Sequence, residues 1–308
     1  MSESRITTEK ERKLSLEDLG LENLISDSNE NNRREQKDDD SLLDPNDSLL
    51  IDTNYALNLG YSGILLVGSP GTGKSWYAQQ IAVSITGNWS NIRSIQFHPN
   101  YQYEDFVFGY VANEEGGFRL VEKVFAQICK EASKNADQKF ALVIDEFSRS
   151  DVVRVFGEAL TYIESDKRGQ AFVTASGQEL SVPKNLVIIG TMNHWDRGID
   201  DIDIALERRF AQLDLNPDAG VLQKILIDAG SNPEFVDRLI LFFEELQKSS
   251  LEQTRLGHGY FIRCTDVLSA ANVWRFRIKP TLKKACRFDE DLFNQISDSW
   301  GSIVLGSK

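Results

Sequence analysis

Three stretches of the chain are apolar almost without interruption: Ile64-Leu65-Leu66-Val67, Phe140-Ala141-Leu142-Val143-Ile144 and Leu186-Val187-Ile188-Ile189-Gly190. A strand with one wet face alternates; a strand covered on both faces does not, so these read as inner strands of a parallel sheet. Between them the period changes. Tyr77, Ala78, Ile81, Ala82 and Ile85 recur at helical spacing, and Ile92 to Phe97 alternates like a strand. Glu114-Glu115-Gly116-Gly117 breaks Val111–Leu120 into a hairpin, and Leu120, Val121, Val124, Phe125, Ile128, Cys129 and Ala132 mark an amphipathic helix. Ser150 or Asp151 can cap a helix carrying Val152, Val153, Phe156, Ala159, Leu160 and Ile163. A second hairpin is expected around Ser176-Gly177. Strands alternating with helices predict an α/β fold built on a parallel sheet. From about Asn216 only helical stripes follow, which predicts a small helical domain over 216–308 behind an α/β domain over 48–215.

Residues 1–47 break the pattern. They hold 7 Lys/Arg and 14 Asp/Glu, a net of −7 out of −13 for the whole chain. Asn29 to Asp40 is nearly all charged or amide side chains, so the segment is expected to be an acidic, solvated tail. Asp44-Pro45-Asn46-Asp47 is turn chemistry at its end. The negative balance argues against non-specific nucleic-acid binding by the isolated chain, although a local basic channel in an assembly stays open. No apolar run approaches the ~18 residues that cross a bilayer. Three scattered cysteines fit neither a disulfide framework nor a zinc site, and Cys129 falls on an apolar stripe. A cytoplasmic protein without a membrane segment is the expectation.

The chemistry gathers where strands end. Gly68-Ser69-Pro70-Gly71-Thr72-Gly73-Lys74-Ser75 is G-x-x-x-x-G-K-[ST], set between an apolar strand and a helix. Its glycines let successive N–H groups turn inward on a phosphate, and the helix N-terminus adds its positive end. Lys74 would reach the β- and γ-phosphates and the Ser75 hydroxyl would hold Mg²⁺. Trp76, next in line, is a further candidate nucleotide contact. The second strand ends on Asp145-Glu146: Asp145 can hold Mg²⁺, and Glu146 can polarise a water as general base. The third leads into Asn193, whose amide could align that water or sense the γ-phosphate. Arg208 and Arg209 close a short helical stretch and could stabilise charge on a transferring phosphoryl group.

Together these residues resemble the AAA+ ATPases, and more narrowly the McrB-type branch near the MoxR and dynein-related AAA domains. His98-Pro99-Asn100-Tyr101-Gln102-Tyr103-Glu104-Asp105-Phe106 is similar to that branch's H-x-S-x-x-Y-E-D-F. Asp145-Glu146-Phe147-Ser148-Arg149 stands where the branch has D-E-I-N-R, and Phe156-Gly157-Glu158-Ala159-Leu160 with Ile163-Glu164 resembles F-G-E-L-L…I-E. Thr191-Met192-Asn193-His194-Trp195-Asp196-Arg197 resembles T-M-N-T-A-D-R, Gly257-His258-Gly259-Tyr260-Phe261 resembles G-H-S-Y-F, and Trp274–Pro280 resembles the closing segment.

The resemblance implies a three-layer P-loop NTPase sandwich with a helical lid. It also implies a homo-oligomeric ring, usually a hexamer, with ATP or GTP between protomers. Asp196 completes a signature that helps position the water, and Arg208 or Arg209 is the finger reaching into the neighbour's site. Arg263 is the candidate for a second sensor arginine, while His258 could contact nucleotide or cap a helix. Two functions are implied: a restriction or antiphage motor working with a separate McrC-like nuclease, with nucleic acid contacted through that partner, or a MoxR-like remodelling chaperone that uses ATP on a protein client.

Overall fold

A computed structural model describes residues 43–113, 116–193 and 204–306; Leu43 onward forms one compact unit. Asp44 Oδ1 accepts from the Asn46 N–H at 2.8 Å, and the Asp47 carboxylate caps helix α1 (Ser48–Asn58) through the Leu49 N–H. Strand β1 (Gly63–Gly68) then runs into the glycine loop and helix α2 (Lys74–Thr86). Strand β2 (Ile92–Gln96), the short helix α3 (Tyr103–Phe106) and the antiparallel pair β3 (Phe108–Asn113) and β4 (Gly117–Glu122) follow. Next come α4 (Val124–Lys134), β5 (Phe140–Asp145), α5 (Val152–Phe156), α6 (Ala159–Tyr162) and a second hairpin of β6 (Ala171–Val173) and β7 (Glu179–Ser181). Strand β8 (Leu186–Asn193), the single turn α7 (Ile204–Glu207) and β9 (Phe210–Asp214) complete the sheet region.

The main sheet is parallel, in the order β2-β5-β8-β1-β9. Alternation of side chains across it divides the core. Leu65, Val67, Leu142, Ile144, Ile188 and Met192 face the cluster built with α4 to α6. Ile64, Leu66, Ala141, Val143, Val187 and Ile189 face the cluster built with α1 and α2. Both faces are dry, which is why these strands carry no polar alternation. Helices α8 (Ala219–Asp228), α9 (Pro233–Gln247), α10 (Val267–Val273), α11 (Lys279–Ala285) and α12 (Glu290–Ser299) gather around a separate core centred on Phe242, Phe243, Phe261 and Trp300.

Several elements differ from the sequence pattern. The stripe starting at Leu120 belongs to two elements, since Leu120 and Val121 lie in β4 and the helix begins at Val124. The helix expected over 152–163 breaks at Gly157, which adopts φ 51° where a Cβ would meet the Tyr103 ring at 2.9 Å. Asp151, not Ser150, caps α5, through the Arg154 N–H. The third apolar strand continues through Asn193. Strand β9, which has no apolar run to announce it, was not foreseen: Phe-Ala-Gln-Leu-Asp is a half-exposed edge strand. Cys129, Cys264 and Cys286 are buried free thiols, and burial pushes the Cys129 thiol well up, as suits core. Among the described residues no helix is long and apolar enough to cross a membrane.

One buried cation fixes the layers. Arg168, 8% exposed, donates to the carbonyls of Ile163 (2.8 Å), Pro183 (3.3 Å), Ser62 (2.7 Å) and Leu186. Burial draws its pKa down to about 10, so it stays charged at neutral pH. Arg168→Met would orphan these carbonyls. It is expected to destabilise the fold by roughly 3 kcal/mol, read as a lower urea midpoint with an unchanged slope.

Candidate nucleotide site

The site lies beyond the carboxyl ends of β1, β5 and β8, where ligands bind in open α/β sheets. Gly71 and Gly73 hold φ of 83° and 85°, a left-handed conformation that aims backbone N–H groups into the loop and starts α2 at Lys74. Lys74 is 8% exposed, and its Nζ donates to the carbonyls of Gly68 (3.0 Å) and Ser69 (2.9 Å). Thr72 Oγ1 ties the loop to the Ser69 carbonyl at 3.0 Å.

Asp145 sits at the centre. Its Oδ1 accepts from Ser75 Oγ at 2.9 Å and from the Thr191 hydroxyl, while Thr191 Oγ1 accepts from the Glu146 N–H at 3.3 Å. The start of α2 and the ends of β5 and β8 are thus joined through one carboxylate and two hydroxyls. Glu146 has φ 54°, the only positive φ among the described non-glycine residues. Such backbone costs of order 1–3 kcal/mol and clusters at functional sites. The Glu146 carboxylate accepts from Arg149 Nε at 3.1 Å.

A cavity of about 370 Å³ opens here, lined by loop residues Pro70, Gly71 and Gly73 to Trp76, with Asp145, Glu146, Thr191, Met192, Asn193, Gly259 and Arg277. Trp76 is 52% exposed, with its ring edge-on to Tyr77. The expected Asp145, Glu146, Asn193, Lys74 and Ser75 are therefore brought together. Asp196 lies outside the described residues.

Arg208 and Arg209 do not line the cavity; both pair with Glu164, Arg208 at 3.4 Å. They differ in exposure: the Arg209 side chain is 5% exposed and that of Arg208 66%. Hydrogen bonding from Lys167, with Arg209 and Arg208 behind it, holds the Glu164 carboxyl below its usual range. This anchor was missed from the sequence, because Glu164 and the arginines are more than forty residues apart.

Arg277 was also missed. It, and not Arg263, lines the cavity, with its guanidinium 4.8 Å from the Tyr260 ring centroid. Pro280 explains its placement: lacking an N–H, it cannot bond the Phe276 carbonyl, and a π turn over Trp274–Ile278 replaces the α-helix there. The preceding turn meets the glycine loop backbone to backbone. The Gly257 N–H donates to Pro70 O at 3.0 Å and the Gly259 N–H to Gly71 O at 2.7 Å. His258 is buried, and its Nδ1 accepts from the Asp218 N–H at 3.5 Å, at the start of α8. Burial lowers its pKa, with Asp218 opposing.

The donor set suits Mg²⁺. Ser75 and Asp145 offer two hard oxygens, and Mg²⁺ fills its remaining positions with water and phosphate oxygens. Bound there, the ion would neutralise charge on the phosphate chain.

A glycine loop feeding a helix, with an acidic strand end beside it on a parallel sheet, defines a P-loop nucleotide-binding fold. Residues 63–210 match the AAA domain (dynein-related subfamily), and together with the two similarities that follow this supports an McrB-like AAA+ ATPase. It is 36% identical over 215 residues to the Type IV methyl-directed restriction enzyme EcoKMcrB subunit of Escherichia coli (strain K12), covering 64% of this chain and 47% of that protein. It is 25% identical over 188 residues to the Type II restriction enzyme BsuMI component YdiS of Bacillus subtilis (strain 168), covering 48% of this chain and 55% of that protein. The chain thus spans about half the length of both.

The turn on the loop can be tested sterically. A Cβ on Gly257 would stand 2.2 Å from the Gly71 carbonyl carbon, whereas one on Gly301 would meet nothing within 4 Å. Gly257→Ala is expected to weaken nucleotide binding about tenfold, as overpacking of 1–3 kcal/mol implies, with Gly301→Ala neutral. Titration with a fluorescent nucleotide reads the difference.

Proposed function

We propose that this chain is the nucleotide-driven motor component of a restriction system, hydrolysing ATP or GTP with Mg²⁺ in a homo-oligomeric ring. The observation that carries the reading is the convergence of Lys74, Ser75, Asp145, Glu146, Asn193 and Arg277 on one cavity. In this reading the loop N–H groups and Lys74 grip the phosphate chain, displacing Lys74 from the carbonyls it now meets. Ser75 and Asp145 hold Mg²⁺. Glu146 takes the proton of the attacking water, and Asn193 aligns that water with Asp196. Gly68 to Trp76 enclose the nucleotide from one side, and Arg277 closes it from residues 216–308, which act as a lid.

Among the described residues neither Arg208 nor Arg209 lines the cis cavity; both pair with Glu164. Arg208 is the exposed one and is assigned to the site of the next protomer; Arg209, buried on Glu164, is assigned to holding that corner. A ring, hexameric as in the branch it resembles, follows from a site completed in trans. The relatives' names include restriction enzyme components, which favours a motor with a separate McrC-like nuclease subunit over a protein-remodelling chaperone.

Lys74→Ala is expected to abolish nucleotide binding. Glu146→Gln should bind normally and turn over at least about 10²-fold more slowly. Arg208→Ala should keep binding and lose about 10³ in turnover. Arg209→Ala should instead lower stability, because it leaves Glu164 short of its buried partner. Steady-state phosphate release with ATP and GTP in parallel, paired with equilibrium binding, separates these outcomes. Wild-type turnover in Glu146→Gln would contradict the assignment.

A further inference from the structure

Between Val267 and Phe288 the sequence has six Lys/Arg and no Asp/Glu, in a chain of net charge −13. Arg277 lines the nucleotide cavity. The other five, Arg275, Lys279, Lys283, Lys284 and Arg287, are exposed and make no ion pair among the described residues. All but Arg287 ride on one continuous helical rod, α10, the π turn and α11, one side of which is buried through Ile278 and Leu282; Arg287 stands in the turn that follows α11. Phe276, Lys279 and Lys283 lie at i, i+3 and i+7, one outward face.

Two exposed aromatic rings flank the basic run, Phe276 on the π turn and Phe288 in the turn that follows α11, just ahead of Asp289-Glu290-Asp291. Phe276 is 70% exposed and Phe288 88%. Each carries a guanidinium beside its ring: Arg275 lies 5.1 Å from the Phe276 centroid and Arg287 4.5 Å from that of Phe288. Neither ring belongs to the core. Lys283 and Lys284 suit the C-terminal end of α11, but five like charges without an acidic partner also repel one another, so the fold alone does not account for the whole set.

Charge alone would suit an acidic peptide, including residues 1–42 of this chain, or a nucleic acid. The rings separate the two. Residues 1–42 contain no Phe, Trp or Tyr, and carboxylates have no face to lay on a phenyl ring. Nucleobases do, and cations interleaved with exposed aromatics form the recurring platform for single strands. We propose that the outer face of 275–288 binds a single-stranded nucleic acid, with Lys279, Lys283, Lys284 and the two arginines on phosphates and unpaired bases on Phe276 and Phe288. The chain then contacts nucleic acid itself, independently of nucleotide hydrolysis.

The test uses the full chain without nucleotide, a fluorescent oligo-dT of about 30 nucleotides and a duplex of equal length, read by anisotropy from about 50 to about 200 mM salt. Wild type is expected to bind the single strand with a log–log salt slope of about −3.5, five contacts at about −0.7 each. Lys279→Glu/Lys283→Glu should lose at least tenfold in affinity, with the slope shallower by about 1.4. Phe276→Ala/Phe288→Ala should weaken the single strand about tenfold and the duplex little. Lys283→Gln/Lys284→Gln is the milder pair should charge reversal disturb the helix. Fluorescent-nucleotide binding by each variant, expected at the wild-type level, confirms the fold and keeps this result separate from the nucleotide-site reading. Absence of salt-dependent binding by wild type, or wild-type affinity in both variant classes, overturns the proposal. So does a change in sedimentation with oligonucleotide binding intact, which would assign the face to a second copy of the chain.

Discussion

The Asp145 carboxylate accepts from Ser75 and Thr191, and this one cluster of oxygens joins the start of α2 to the ends of β5 and β8. The arrangement requires parallel strands. Only then do the carboxyl ends of β1, β5 and β8 fall on one edge, where a loop, an acid pair and an amide can share a cavity. The dry core on both sheet faces holds that edge in register, and Arg168 ties the opposite ends of the layers through backbone carbonyls.

Strain and close approach concentrate around the same cluster. Glu146 is held in left-handed backbone directly after Asp145. Gly190 has no room for a side chain, since a Cβ would stand 2.5 Å from Leu65. The 257–259 turn lies so near the glycine loop that both partners must be glycine at their contact. Any movement of that loop on filling with phosphate must therefore shift the turn, and with it Tyr260 and the Arg277 guanidinium beside its ring. Nucleotide occupancy and the helical region are mechanically linked by these contacts.

What could be read from the sequence was what is local. The glycine loop, the apolar strands and Asp145-Glu146 each lie within a few consecutive residues, so spacing alone sufficed for their types and order. The rest depends on distance in sequence or on defects in regular structure. Arg277 enters the cavity from a π turn just ahead of Pro280, a defect in the helix that no helical period reveals. The division of Arg208 from Arg209 rests on Glu164, which lies across the fold. Strand β9 is an edge strand with a half-polar pattern, and α5 and α6 part at a glycine whose role appears only once the Tyr103 ring is beside it.

The central claim is that the cavity holds half of a hydrolytic site and that a second chain supplies the rest. The most direct measurement is specific NTP turnover against protein concentration, with sedimentation on the same samples. The account predicts turnover per chain that rises steeply as chains associate and then reaches a plateau. Constant turnover per chain down to concentrations where the protein sediments as a monomer would contradict it.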